Sequence, residues 1–198
     1  MAALARRAGV VFPLLHAATY CPRCATPLVE RVPEFDNRTR RVCPKCGFVV
    51  YVNPKIAAGT VPVRDGRIAM VRRGIDPGRG LWSWPCGYVE IDESVEEGAL
   101  RETREECGPV VRLGPLLGAY SYPVRTADVH SATTGLVVMA WATTGAEGDL
   151  APGDDAADAA WFDVAKIPWD ELAFDSSRRA LADWLGATSR GPGPSRPS

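Results

Sequence analysis

From Cys86 to Gly108 the chain carries a glycine loop, a helix start, a helix stop and a dense run of charged side chains. Ser94 followed three positions later by Glu97 spells a capping box. The serine hydroxyl serves one unpaired helix N–H, and the glutamate reaches back for another. The pattern predicts a helix from about Val95 to Glu106, stopped at Gly108, where a glycine suits the left-handed turn that ends many helices. Val95, Ala99, Thr103 and Cys107 recur at every fourth position, with Leu100 beside them, and predict one inward face. Glu102, Glu105 and Glu106 are spaced i, i+3, i+4, so their carboxylates share a neighbouring face.

Three adjacent carboxylates repel one another, by roughly 0.2–0.5 kcal/mol per pair on a helix surface. A solvated face tolerates that, and most acidic runs are solvated faces. Here the glutamates follow a glycine loop and an arginine, and clustered hard oxygens suit Mg²⁺. That ion binds through a few carboxylates together with the phosphates of a substrate.

Gly87, Glu93, Arg101-Glu102, Glu105-Glu106 and Gly108 also stand at the spacing of the Nudix box, and the chain resembles the Nudix hydrolase family. All the fixed positions match. Two looser positions depart: Thr103 fills an aliphatic slot, and Pro109 follows Gly108, where Val110 is expected to take over the packing. The resemblance implies an α/β/α sandwich around a mixed sheet. It implies a Mg²⁺ (or Mn²⁺) site at Glu102, Glu105 and Glu106, helped by the Gly87 carbonyl. It implies that Arg101 pairs with Glu93 and orients the acidic helix, with Glu105 or an acid of a later loop as general base. The implied reaction is hydrolysis of a nucleoside diphosphate linked to another moiety.

Cys21-Pro-Arg-Cys24 and Cys43-Pro-Lys-Cys46 form the second strong pattern, two C-x-x-C knuckles eighteen residues apart. Such spacing predicts a zinc ribbon, and four thiolates leave a structural Zn²⁺ no open position. Two disulfides are the competing reading, one that needs an oxidising compartment. Short strands are expected at Leu28–Val32 and Arg40–Val42 around an Asp36-Asn37 turn. Arg38, Arg40 and Arg41 form a small basic patch there, read as a solvated hairpin.

The remaining chain divides by composition. Residues 1–18 read as an N-terminal extension, 19–52 as the ribbon, 53–186 as the Nudix domain and 187–198 as a disordered tail of Gly, Pro, Ser and Arg. Arg64-Asp65-Gly66 joins two apolar runs and signals a hairpin. Arg72 and Arg73, just before the loop that feeds the box, are candidate substrate-binding residues, because the guanidinium fork matches diphosphate oxygens. Cys86 and Cys107 read as small apolar residues. The segment Pro123–Thr134 is a candidate substrate loop. Glu147, Asp149, Asp154, Asp155 and Asp158 make an acidic stretch. Strands are expected at Val110–Tyr122, broken by Gly114-Pro115, and at Leu136–Thr143, with a last helix over Ser176–Leu185 capped by Asp175.

A net charge of −1 argues against a non-specific nucleic-acid binder, so the expected partner is a small nucleotide. With no run of eighteen apolar residues, no membrane span is expected, and the protein is expected in the cytoplasm, with a homodimer suggested by the resemblance. Within the family, the ribbon layout and the Gly80-Leu-Trp-Ser-Trp-Pro and Ile167-Pro-Trp-Asp-Glu-Leu-Ala-Phe174 stretches resemble enzymes that cleave FAD and ADP-ribose. NADH pyrophosphatases and RNA-cap hydrolases are the alternative. Against them, Tyr120-Ser-Tyr-Pro-Val-Arg125 does not match the Ser-Gln-Pro-Trp-Pro-Phe-Pro block of the NADH group. A non-catalytic ligand-sensing regulator is a third reading, expected to carry a degraded box, and this box is intact.

Overall fold

The computed structural model describes residues 18–123 and 136–189. Most of the expected N-terminal extension, nearly all of the candidate substrate loop and the tail from residue 190 lie outside them. The described chain forms two compact units, the first of residues 18–55 together with Tyr122, Pro123 and Leu136, the second of residues 56–121 and 137–189.

The first unit is a three-stranded antiparallel sheet of β1 (Val29–Arg31), β2 (Arg40–Val42) and β3 (Val49–Val50), in that order. The two knuckles repeat one another. Ala25 and Gly47, each directly after the second cysteine, have positive φ of 55° and 72° and donate their N–H to Cys21 and Cys43 carbonyls. Cys21, Leu28 and Cys43 make a small core closed by Phe48 and Val50.

The second unit begins with β4 (Lys55–Val61), β5 (Val63–Arg64) and β6 (Arg67–Arg73). Asp65 and Gly66 turn β5 into β6 with φ of 52° and 72°, the two left-handed residues a tight hairpin needs. β7 (Trp82–Ser83) and β8 (Cys86–Tyr88) follow, then α1 (Val95–Cys107). After the helix come β9 (Val110–Tyr122), β10 (Leu136–Glu147), β11 (Ala156–Asp163) and α2 (Asp175–Ser189). One sheet runs β8-β4-β10-β9; the other runs β11-β6-β5, with β7 also on β6. Trp84, Ile68, Met70, Leu181 and Val61 are among the most deeply buried side chains. Among the described residues no helix is long and apolar enough to cross a membrane.

Helix α1 forms as its caps dictate. Ser94 Oγ accepts from Glu97 N–H, Glu97 returns to Ser94 N–H at 2.8 Å, and Gly108 closes the helix at φ 94°. Ala99 packs on Ala58 and Trp141, with Val95, Leu113 and Met139 around them. Thr103 takes its aliphatic slot by finding partners. It lies 2.8 Å, oxygen to oxygen, from buried Thr60 of β4, and its own hydroxyl donates to the Ala99 carbonyl at 2.7 Å.

Four local expectations need correction. Pro109 is itself buried, while Val110 is 59% exposed, so the proline fills the slot assigned to Val110. β9 runs unbroken through Gly114-Pro115. Asp158 lies on β11 and Glu147 ends β10, so the acidic stretch is shorter than it reads. α2 starts at Asp175 itself and includes Ala187, Thr188 and Ser189, which were assigned to the tail. The Thr188 hydroxyl donates to carbonyls of Trp184 and Leu185, which supports the last turn.

Candidate active site

β8 and the second half of α1 bring Gly87 and the acidic residues of the box together. β8 pairs with β4, Gly87 opposite Ala58 and Cys86 opposite Gly59. A Cβ on Gly87 would fall on the Glu102 carboxylate, so glycine is required for that side chain to lie across the strand. The same holds at Gly59, where a Cβ would strike the Pro85 carbonyl and lie 2.7 Å from Trp84.

Arg101 organises the acids. Its guanidinium grips Glu93 with two donors, at 2.9 and 2.7 Å. It also donates to Glu102 and Glu105 at 2.8 Å each and to the Tyr88 carbonyl at 3.0 Å. This positive charge is what allows Glu102 and Glu105 to stand side by side. Arg101 and the Glu90 N–H hold Glu93 down at about 2. Burial pushes Glu102 up despite Arg101.

Glu106 is different. Among the described residues it has no arginine ion pair, and its carboxylate accepts the Cys86 N–H at 2.8 Å. Burial lifts it to about 7, with Glu102 and Asp155 adding to the rise and the Cys86 N–H and Arg73 opposing it. The Cys86 thiol is driven well above its usual range by burial and by Glu106 and Glu102. Burial does the same to Cys107, lifting it to about 12.

The segment after β10 completes the surroundings. Ala151 and Gly153 donate their N–H groups to the Cys107 and Glu106 carbonyls, serving the bare C-terminal end of α1. A Cβ on Gly153 would meet the Glu105 carbonyl, so the chain approaches the helix this closely only as glycine. Asp155 is thereby brought close enough to act on Glu106. It was one of five undistinguished acids in the sequence; its neighbour Gly153 was the one local sign of a close approach.

The two candidate arginines separate. Successive residues of a strand face opposite ways, and only Arg73 acts on Glu106 and Cys86. Its guanidinium lies over the Phe174 ring at 5.0 Å and donates to the Pro77 carbonyl at 2.6 Å. Arg72 donates instead to the Gly80 carbonyl at 2.7 Å. Phe174 was missed as a site residue, since nothing local ties it to β6. Leu100, Arg101, Arg104 and Glu105 of α1, with Val110 and Val111, line an open groove of about 600 Å³.

The donors around Glu102, Glu105 and Glu106 fit hard divalent cations. They are carboxylate oxygens, and two of the three, Glu102 and Glu106, are raised by burial.

In the ribbon, Cys21, Cys24, Cys43 and Cys46 bring their sulfurs within 4.8 Å of one another. Cys21–Cys46, Cys24–Cys43 and Cys24–Cys46 stand at 3.6, 3.5 and 3.7 Å. Tetrahedral Zn–S bonds of about 2.3 Å require sulfurs roughly 3.8 Å apart, whereas a disulfide needs about 2.05 Å. The Thr26 hydroxyl and backbone N–H draw the Cys24 thiol down to about 6. All six cysteines of the chain are free. The cluster fits zinc.

The family model of the NUDIX domain matches residues 53–185. The chain belongs to the Nudix family. A second model, the zinc-ribbon type described as Nudix N-terminal, matches residues 19–52. An ADP-ribose pyrophosphatase of Methanocaldococcus jannaschii is 33% identical over 131 residues, 66% of this chain and 73% of that one. The NAD-capped RNA hydrolase NudC of Chromobacterium violaceum is 33% identical over 179 residues, 89% of this chain. This chain spans 62% of that NudC, and smaller shares of its other NudC relatives. A Nudix hydrolase crystal structure from Nitrosomonas europaea has a TM-score of 0.78 at 30% identity, covering 87% of this chain and 93% of its own. The fold class expected from the box, an α/β Nudix fold with a mixed sheet, is the one found.

Proposed function

We propose that this chain hydrolyses the diphosphate bond of a nucleoside diphosphate joined to another moiety, of the ADP-ribose or FAD type. The observation that carries this reading is Glu102 lying against Gly87 and held together with Glu105 by Arg101, while Glu106 accepts the N–H of Cys86, the residue before Gly87. The similarity to the M. jannaschii ADP-ribose pyrophosphatase supports it.

In this reading Glu102, Glu105 and Glu106, with the Gly87 carbonyl, hold Mg²⁺ or Mn²⁺. Bound there, such a cation would offset the charge of a diphosphate and supply Lewis-acid activation for its hydrolysis. Glu106 must give up its proton to serve, and Arg73 and the Cys86 N–H both favour that ionisation. Arg101 fixes Glu102 and Glu105 through one nitrogen while its other donors hold Glu93 and the Tyr88 carbonyl, so the acids arrive already oriented. Glu105 is the more exposed of the two at 59% and uses Oε2 for Arg101, which leaves Oε1 to take the proton of an attacking water. Asp155 is the alternative base. Arg73, held flat on Phe174, is the better of the two arginines for a phosphate oxygen. The ribbon holds structural Zn²⁺, and four free thiols of this kind suit a reducing, cytoplasmic setting.

A second reading, an NADH or NAD-capped RNA substrate, is favoured by the NudC relative, which matches both the ribbon and the Nudix domain. Incubating the chain with Mg²⁺ and ADP-ribose, FAD, NADH or nucleotide sugars, followed by product mass, separates the two. AMP from ADP-ribose or FAD at rates well above those with NADH supports the first. Turnover unchanged in Glu105→Gln and Glu106→Gln removes both.

A further inference from the structure

The ribbon sheet carries a surface that zinc binding does not explain. In its register Arg31 of β1 stands directly opposite Arg40 of β2. Cross-strand neighbours share a face, and like charges there repel. The row continues onto Tyr51, just past β3, whose ring lies 5.2 Å from the Arg40 guanidinium. Tyr51 is itself mostly exposed. Arg40 is relieved by Asp36 at 3.0 Å. Arg31 and Arg38, both exposed, pair with no carboxylate among the described residues.

At the tip of the same hairpin Phe35 is 100% exposed, with φ at 64°. A bulky residue rarely adopts that backbone. The turn enforces it: Asp36 accepts from Asn37 N–H at 2.7 Å and from Arg38 N–H at 3.1 Å, and donates its own N–H to Pro33 at 3.2 Å. An apolar ring is thus held out into solvent by a polar turn built beneath it, instead of folding onto the ribbon core.

We infer that this face of the ribbon binds single-stranded nucleic acid, with Phe35 and Tyr51 stacking bases and Arg31 and Arg38 meeting phosphates. Exposed rings interleaved with unpaired cations are the working parts of such surfaces, since every base offers a flat face and every nucleotide a charge. The whole-chain charge of −1 conceals this. Between residues 19 and 52 basic side chains outnumber acidic ones two to one. The expectation of no nucleic-acid partner came from that average. The inference concerns the ribbon and does not depend on which diphosphate the box cleaves.

The test is a fluorescence anisotropy titration of a 5′-labelled single-stranded RNA of about twelve nucleotides with the full, zinc-loaded chain across a salt series. Saturable binding is expected, weakened about tenfold by Phe35→Ala and retained by Phe35→Trp. The double variant Arg31→Ser, Arg38→Ser is expected to flatten the dependence of log K on log salt by about 1.4. Zinc content and small-substrate turnover stay unchanged in Phe35→Ala, which separates this inference from the box chemistry. Absence of saturable binding, equal binding by Phe35→Ala, or equal competition by an acidic peptide would overturn it, the last pointing to a protein partner.

Discussion

Replacing Glu106 with glutamine should make the divalent-free protein more stable at pH 8 while abolishing its turnover. The raised pKa gives the sign. Glu106 titrates near 4.5 in an unfolded chain and at about 7 here. The folded state therefore favours the protonated carboxyl. The associated stability is complete below pH 4.5 and is lost as the pH rises through about 7. At about 1.36 kcal/mol per pH unit, ionising the buried carboxyl costs the folded state about 3 kcal/mol at pH 8. Glutamine keeps an oxygen for the Cys86 N–H and carries no charge, but its new NH₂ group needs a partner, a loss of about 1 kcal/mol. A net gain of about 2 kcal/mol at pH 8, shrinking to zero or slightly negative at pH 4.5, is the expected result. Urea melts in buffer free of added divalent cations measure it. All six tryptophans lie between Trp82 and Trp184, so their fluorescence reports the Nudix unit and not the ribbon. Added Mg²⁺ should stabilise the wild type at pH 8 and the variant much less. A stability difference equal at both pH values, or a variant weaker at pH 8, would refute the account of Glu106.

Gly87→Ala should cut turnover at least about 100-fold, because the new methyl displaces the Glu102 carboxylate; kcat with saturating Mg²⁺ measures it. Thr103→Val strands the Thr60 hydroxyl in the core and should cost about 1–3 kcal/mol in a urea melt, most of it recovered by Thr60→Val in the same chain. Stripping zinc, or Cys43→Ser, should open the ribbon to proteolysis between residues 19 and 52 while leaving the tryptophan spectrum unchanged; zinc analysis and thiol titration report the loss.

What could be read in advance was local. Ser94 and Glu97 cap the helix as their spacing states, Asp65-Gly66 turns the hairpin, and four cysteines converge because two short motifs each fix half a site. What could not be read depended on segments far apart in the chain. Thr103 looked like a flaw in an apolar face until Thr60, 43 residues earlier, supplied its partner. Asp155 could not be told from four neighbouring acids, because what singles it out is Gly153 lying against α1. Arg72 and Arg73 were a different case: strand alternation already implied that both could not face the same group, and the structure separates them.

The Thr60–Thr103 pair gives the helix a latch as well as a contact. Greasy surfaces slide past one another with little penalty, so a purely aliphatic interface would let α1 settle anywhere along a shallow range. Two hydroxyls facing each other in a dry interior have one acceptable alignment and no neighbouring second best. Thr103 immediately follows Glu102, so whatever fixes the hydroxyl also fixes where the carboxylate comes to rest over Gly87. The substitution that departs from the family's usual residue thus turns an approximate fit between helix and strand into a single notch.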